Sequence, residues 1–576
     1  MRKKLFLFPA AFFLFAATAL NAQICAPPAS QIDIFGNNIK ARLLNGGDLF
    51  WDFSDALFIP NPTPAGPNPA TIFAAGLWIG GVDPAFNLKL ATVTYRSQGA
   101  TDYWSGPLNS DGTTDAVNCN NWDRFFRVTD SEINAFLFNL PSLVNNPALA
   151  VTNYKSIMGW PAYGNPYFAD VNGFDLPFAF SGPLASFHDE DGNGQYNPLK
   201  GDYPVVKLQG KPEFVPAEVV WCVFNDHGGG AVHSSSKGKP LQIEVQLTAW
   251  AFNCLNEPVL NNTLFTAHRI IHKSTESIDS CFVGMWVDFD LGCYVDDYFG
   301  SNPNLSTFYA YNADAVDGST GTSCTGGVPT FADHPPVQSV TFLSRSLDKF
   351  MYYNNPSVGS WPAATTDPDQ PNEIYNYLTG SWRDGSPLTA GGSGYSPGTG
   401  TAADFAFPGN PSDPNSWTMC SANQSILADR RVLGVHKIGH LPAGQIEELV
   451  TAWTVHPDPD LPCGLGSTYA DIVYLHDSYT NDFAGVCSGL TAVDDIDETQ
   501  ISLFPNPASD LVTVAFGNQP VREIRLSGSD GRLLMRFQDI QQEQIDINIA
   551  NLPNGMYTIQ LLTPQGFAAR KFSVLH

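Results

Sequence analysis

The chain has 576 residues, of which 43% are hydrophobic, 12% aromatic and only 15% charged, with a formal net charge of −27. That is enough apolar material for roughly two to four domains, and it excludes wholesale disorder. The acidic excess, 56 Asp and Glu against 29 Lys and Arg, excludes a nucleic-acid partner and an anionic membrane surface, and it favours divalent cations.

Residues 1–22 read as a secretory signal peptide: Arg2, Lys3 and Lys4, then an apolar run from Leu5 to Leu20 interrupted by Pro9, then Ala22. The run is short for a membrane span, and no later segment reaches about 18 uninterrupted apolar residues. All ten cysteines follow this leader, so disulfide pairing is expected. Cys293 with Cys324, and Cys463 with Cys487, are the short-loop pairs that spacing suggests.

Residues 23–487 form a β-rich body of one or more subdomains, dense in Gly, Pro, Asn, Asp and aromatics. A helix is predicted over Ser131–Leu140, capped by Asp130 or Ser131, and a weaker one over Ala148–Met158. Strands are predicted over Leu241–Phe252, Thr263–His272 and Cys281–Phe289, consecutive enough for an antiparallel meander, and over Ile446–Val455. Residues 354–420, with GGSGYSPGTGT at 391–401, read as long surface loops. Residues 488–500 form an acidic linker, and 501–576 a final unit.

Two acidic groups in the body are candidate metal sites. In Asp189-Glu190-Asp191-Gly192-Asn193-Gly194-Gln195, oxygen donors alternate at Asp189, Asp191 and Asn193, Gly194 is sixth and the Gln195 carbonyl seventh. That is the front half of an EF-hand-like calcium loop, although position twelve is Lys200, with Asp202 two residues later to close it. The second group is Asp288, Asp290, Asp296 and Asp297. It reads as a calcium site, as a carboxylate pair for glycoside hydrolysis, or as an acidic strand end. His227 and His233 form a weaker ligand pair in a glycine-rich loop. No HExxH, Walker or CxxC sequence occurs, and most of the 12 Trp suit a core better than a sugar-stacking surface.

The final unit shows six short strand signals separated by turns at 528–531 and 553–555, which imply a small immunoglobulin-like β-sandwich. Three of its motifs are specific. Leu503-Phe504-Pro505-Asn506-Pro507-Ala508-Ser509-Asp510, Leu552-Pro553-Asn554-Gly555-Met556-Tyr557 and Arg570-Lys571-Phe572-Ser573-Val574 resemble, in order, the opening, late-turn and tail motifs of the type A sorting domain of type IX secretion cargo. The resemblance implies recognition by the outer-membrane type IX machinery, with Pro505, Asn506, Pro507, Asp510, Gly555 and Tyr557 in the sorting motif. It also implies delivery through the periplasm to the cell surface or medium. Segments of the body, among them Leu77-Trp78-Ile79-Gly80-Gly81 and Asp288-Phe289-Asp290-Leu291-Gly292, are similar to other cargo bodies of no assigned activity.

The expectation is therefore an all-β secreted protein: a large β-sandwich-rich body with long loops and a C-terminal sorting sandwich, with calcium as a structural ion. A binding or structural role and a hydrolase acting on extracellular polymers, glycosidase or peptidase, are the two functional readings. Extracellular polysaccharide or surface components are the partners it would meet.

Overall fold

The computed structural model of the protein describes residues 25–576 apart from 64–67, 97–99, 177–183, 229–232, 255–256, 319–323, 325–327, 425–427, 458, 488–500, 518–520, 522, 529–532, 539, 541 and 564–565. The leader at 1–22 and the acidic linker at 488–500 lie outside the described residues.

The frame of the body is built from β1 (Ile72–Val82), β2 (Glu218–Asn225), β3 (Ile243–Ala251), β4 (Thr263–His272), β5 (Ile278–Phe289), β6 (Asp297–Asn302), β7 (Thr307–Asn312), β8 (Val337–Phe342), β9 (Lys349–Asn354), β10 (Arg430–Leu441) and β11 (Ile446–His456). These strands lie in two nine-stranded sheets. The first contains the run β1–β5–β10–β9, with β9 at its edge, and the second runs β6–β7–β8–β11–β4–β3–β2. Side chains alternate between the faces of a strand, so the second sheet feeds two cores. Val220, Cys222 and Phe224 of β2 join Leu77, Trp286 and Val432 of the first sheet in the central core. Val219, Trp221 and Val223 point the other way, into a second core roofed by Trp122, Phe136 and Trp160.

That roof includes helix α1 (Asp130–Leu143). Its cap is Thr129, one residue before Asp130 and two before Ser131, the residues expected from the sequence. Thr129 Oγ1 accepts from Glu132 N at 3.3 Å, while Glu132 Oε2 accepts from Thr129 N at 2.9 Å. The weaker helix predicted over 148–158 is two helices, Pro147–Asn153 and Lys155–Met158, broken at Tyr154.

Three expectations fail. The meander stops after β4: β3 and β4 pair, but β5 crosses to the other sheet and pairs with β1 and β10. Sheets pack about 10 Å apart, and the residues between β4 and β5 are enough to span that gap. The segment 354–420 is not surface loop. It contains α2 (Pro371–Leu378) and buries Tyr377, Trp382, Leu388, Phe407 and Met419 in the central core. Its polar, glycine-rich sequence hides these anchors because, outside α2, each is a single large residue among turns. Cys463 pairs with Cys420 and Cys487 with Cys254, not with each other. Cys293–Cys324 forms as expected, Cys25 pairs with Cys119, and Cys222 and Cys281 are buried thiols.

Helix α3 (Thr468–Thr480), which the sequence did not announce, packs on the outer face of β8 and β11. After it, the C-terminal unit forms two sheets. One is β12 (Ser502–Phe504), β13 (Leu511–Ala515) and β16 (Gln544–Asn548). The other holds β14 (Glu523–Gly528), β15 (Leu533–Gln538), β17 (Gly555–Thr563) and β18 (Gly566–Val574), in the order β15–β14–β17–β18. Val512, Val514, Ile524, Leu526, Ile559 and Phe572 fill the space between them. The molecule is all-β and sandwich-like, as its composition implied.

Candidate functional site

The loop at 189–202 folds around its own acids. Asp189 accepts from the backbone N–H of Asn193 at 3.1 Å and Gly194 at 2.7 Å, and Asn193 Oδ1 accepts from Gln195 N at 2.7 Å. Gly192 and Gly194 adopt φ of 68° and 74°, a conformation that costs other residues strain. Asp202 is buried and ties the ends together, accepting from Glu190 N at 3.0 Å and Asn197 N at 2.7 Å. Lys200 Nζ sits 3.0 Å from Asp191 Oδ2, and this cation holds the Asp191 carboxyl below the usual carboxylate range. A lysine ammonium thus stands where the twelfth, carboxylate ligand of an EF-hand would be.

The second acidic group divides. Asp288 on β5 is sealed: Tyr95 Oη donates to its Oδ2, and Arg431 Nε of β10 lies 3.3 Å from its Oδ1. Arg431 also donates to Tyr95 Oη at 3.0 Å and pairs with Asp429. Burial, more than the neighbouring charges of Asp429 and Asp367, pushes the Asp288 carboxyl up. Asp290, half-buried at the end of the same strand face, is pushed up by desolvation and then by Asp288. Tyr95 packs edge-on against Trp51 and Trp286 and near Phe73, so this group has an aromatic surround.

Asp296 and Asp297 go elsewhere. They open the β6–β7 hairpin, where Asp296 Oδ2 accepts from Gly318 N at 2.9 Å and Asp297 Oδ2 from Leu291 N at 3.0 Å. Asp317 joins them, accepting from Cys293 N at 2.8 Å. Among the described residues, Cys293, Asp296 and Asp317 are the one group of three His, Cys, Asp or Glu with ligand atoms within 4.8 Å of one another.

His227 and His233 do not converge as a ligand pair. His227 Nδ1 is 2.8 Å from the Gly112 carbonyl. His233 is buried, with its two ring nitrogens each 2.6 Å from a carbonyl, those of Leu90 and Asp226. Both nitrogens are taken up by main-chain carbonyls, so the ring is not presented to a metal shared with His227.

One constellation escaped the sequence entirely. His456 Nε2 lies 2.8 Å from Ser339 Oγ, and its Nδ1 lies 2.8 Å from Asp471 Oδ2. The roles match a serine–histidine–acid triad. Ser339 and His456 are 0% and 1% exposed beneath α3, however, so no substrate carbonyl reaches the hydroxyl. The network fastens α3 to the sheet. Residues this far apart in the chain, in no local motif, carry no spacing signal.

The sorting-motif residues do come together. Asn506 Oδ1 accepts from Ser573 N at 2.9 Å, and the chain just after Pro507 pairs with the tail, Ala508 N donating to Ser573 O at 2.8 Å. Asp510 O accepts from Ile549 N at 2.9 Å. Tyr557 Oη donates to Pro553 O at 2.7 Å across the turn that Gly555 follows, and its ring lies 5.9 Å from Phe572. The Phe504–Pro505 and Asn506–Pro507 bonds are cis. Opening, turn and tail motifs therefore share one end of the small sandwich.

Residues 502–574 match the family described as the secretion system C-terminal sorting domain. No curated protein matches the chain. Among solved structures it is similar to a polysaccharide lyase, at 8% identity and a TM-score of 0.16 over 58% of this chain, and it spans 34% of that protein's length. It is also similar to the BSP domain of a biofilm-associated protein, at 7% identity and a TM-score of 0.14 over 99% of this chain and 84% of that one. Neither likeness bears on what the body does. No helix among the described residues is long and apolar enough to cross a membrane. The C-terminal domain marks the chain as a cargo of type IX secretion, exported to the cell surface or the medium.

Proposed function

We propose that the body is a calcium-stabilised binding or structural module, carried out of the cell by its sorting domain to meet polysaccharide or other surface components. The observation that carries this reading is the closure of two groups suited to hydrolysis among the described residues. Asp288 is capped by Tyr95 and Arg431, and Ser339 lies under α3. A general acid must reach the leaving-group oxygen, and a nucleophile its carbonyl. Trp361 and Trp417, the tryptophans left partly exposed, are the rings able to stack on a sugar.

A structural calcium at 189–202 is supported by the oxygen-rich loop, with Lys200 as the cation that calcium would displace from Asp191. The expected outcome is a Tm that rises with calcium and falls with chelator, with most of the gain lost in Asp191→Ala. A site occupied at a hundredfold excess over its Kd contributes about 2.7 kcal/mol. Equal Tm values with calcium and with chelator would remove this loop as a stabiliser.

The second reading is a secreted hydrolase, favoured by the neighbouring Asp288 and Asp290 carboxyls, both raised by burial beside an aromatic surround. Purified mature protein assayed on polysaccharide and protein panels decides between them. We expect no turnover; activity that disappears in Asp288→Asn or Asp290→Asn would establish the hydrolase.

A further inference from the structure

We propose that a small polar cavity at the C-terminal end of α3 binds one neutral sugar unit. The proposal rests on the reading of the body as a binding module for polysaccharide, and gives that reading a site. The cavity has a volume of about 180 Å3 and is lined by Gln209, Ser344, Arg345, Glu448 and Tyr479. Pockets that enclose drug-sized ligands run to about 300–1,000 Å3, so this one takes a single ring, such as the end of a chain, and not a length of polymer.

Four stretches of the chain meet there. Glu448 comes from β11, on the face it shares with Val450 and Ala452 of the second core. Ser344 and Arg345 follow β8, Tyr479 lies in the last turn of α3, and Gln209 precedes β2. The walls are tied down. Glu448 Oε1 accepts from Gln209 N at 2.8 Å, and the Glu448 carbonyl accepts from Ser344 Oγ at 2.9 Å. Arg345 Nη2 donates to Glu447 Oε2 at 2.8 Å. Lys211 Nζ donates to the Tyr479 carbonyl at 2.7 Å and lies 4.2 Å from the centre of the Tyr479 ring. Walls held in place beforehand have less to lose on binding.

The groups left over are those a sugar uses. Among the described residues, the Tyr479 hydroxyl, the Gln209 side-chain amide and Glu448 Oε2 make no hydrogen bond. The phenol and the amide both donate and accept, the carboxylate accepts, and each hydroxyl of a sugar matches either role. Charge argues against an ion. Arg345 and Lys211 stand against Glu447 and Glu448, and Arg269 is the cross-strand partner of Glu448. Burial raises the Glu448 carboxyl, and Arg269 and Arg345 oppose the rise. Tyr479 is pushed up to about 12 by burial and then by the charge of Glu448, so its hydroxyl keeps its proton. An anion would meet the carboxylates and a cation the arginines and the lysine; a neutral polyhydroxyl ligand meets neither penalty.

The test is saturation-transfer NMR on the full mature chain, titrated with the methyl glycosides of glucose, mannose and galactose and, for comparison, with glucuronate and glucosamine. A neutral glycoside should bind. Tyr479→Phe and Gln209→Ala should each weaken it by roughly threefold to tenfold. Neither variant should shift the urea midpoint, since neither group is bonded in the fold. No transfer to any neutral glycoside, an equal Kd in wild type and both variants, or tighter binding of glucuronate or glucosamine overturns the proposal. A polysaccharide retained equally by wild type and Tyr479→Phe also overturns it, while leaving the body a binding module that works through another surface.

Discussion

His268 sits within β4 with both ring nitrogens buried and without a hydrogen-bond partner. Desolvation alone lowers its pKa to about 4, against 6.5 for the free side chain. The folded chain keeps it neutral while the unfolded chain protonates it below pH 6.5. Its cost is therefore absent above pH 6.5 and grows as pH falls toward 4, where it reaches roughly 3 kcal/mol. His268→Leu should match wild type in urea midpoint at pH 7.5 and exceed it at pH 4.5; a constant gap between the two proteins would exclude this account. His233, also buried, has both nitrogens hydrogen-bonded to main-chain carbonyls, with the Asp102 and Asp226 carboxylates at 3.8 and 3.9 Å. His233→Leu removes the two hydrogen bonds to the Leu90 and Asp226 carbonyls and should cost about 1–3 kcal/mol, read from the same denaturation midpoint.

At the scale of elements, α1 shows how local chemistry sets a boundary. Thr129→Ala removes one half of a reciprocal cap and should lower stability by about 1 kcal/mol, whereas Ser131→Ala, at the cap the sequence suggested, should change it by less than half of that. The same scale shows what was readable. β4 was visible end to end because Thr263–His272 is apolar and flanked by turn residues. β2 was not, because Glu218–Asn225 is buried on both faces and shows no alternation. Asp288 and Asp296 were read as one cluster because they are near in sequence; the turn at Gly292, between β5 and β6, sends them to different neighbours. Asn312 could not be placed beside Asp297, since only the β6–β7 register sets the two opposite each other.

For the whole molecule, export and body separate cleanly. The sorting domain was legible in full because its motifs are local and ordered, and the structure gathers them at one end of a sandwich with its own core. Deleting residues 501–576 should leave the protein in the periplasm. Fractionation that finds the shortened chain outside the cell would refute a sorting role for the domain. The body was legible only as β-rich and disulfide-bearing, because its two sheets are assembled from strands far apart in the chain, such as β1 with β5 and β4 with β11.

Cys487 is the last described residue before the segment that leads to the sorting domain, and it is bonded to Cys254, just beyond β3. That junction sets the route of mechanical load. A pull on the C-terminal end, from the export machinery or from an attachment to the cell envelope, enters the body at Cys254 and is passed to the interior of the second sheet. Helix α3 lies within the closed loop and carries none of the tension. In Cys254→Ser/Cys487→Ser the same pull would act first on α3 and peel it from β8 and β11, so force spectroscopy should show an early, low-force extension that the native chain lacks.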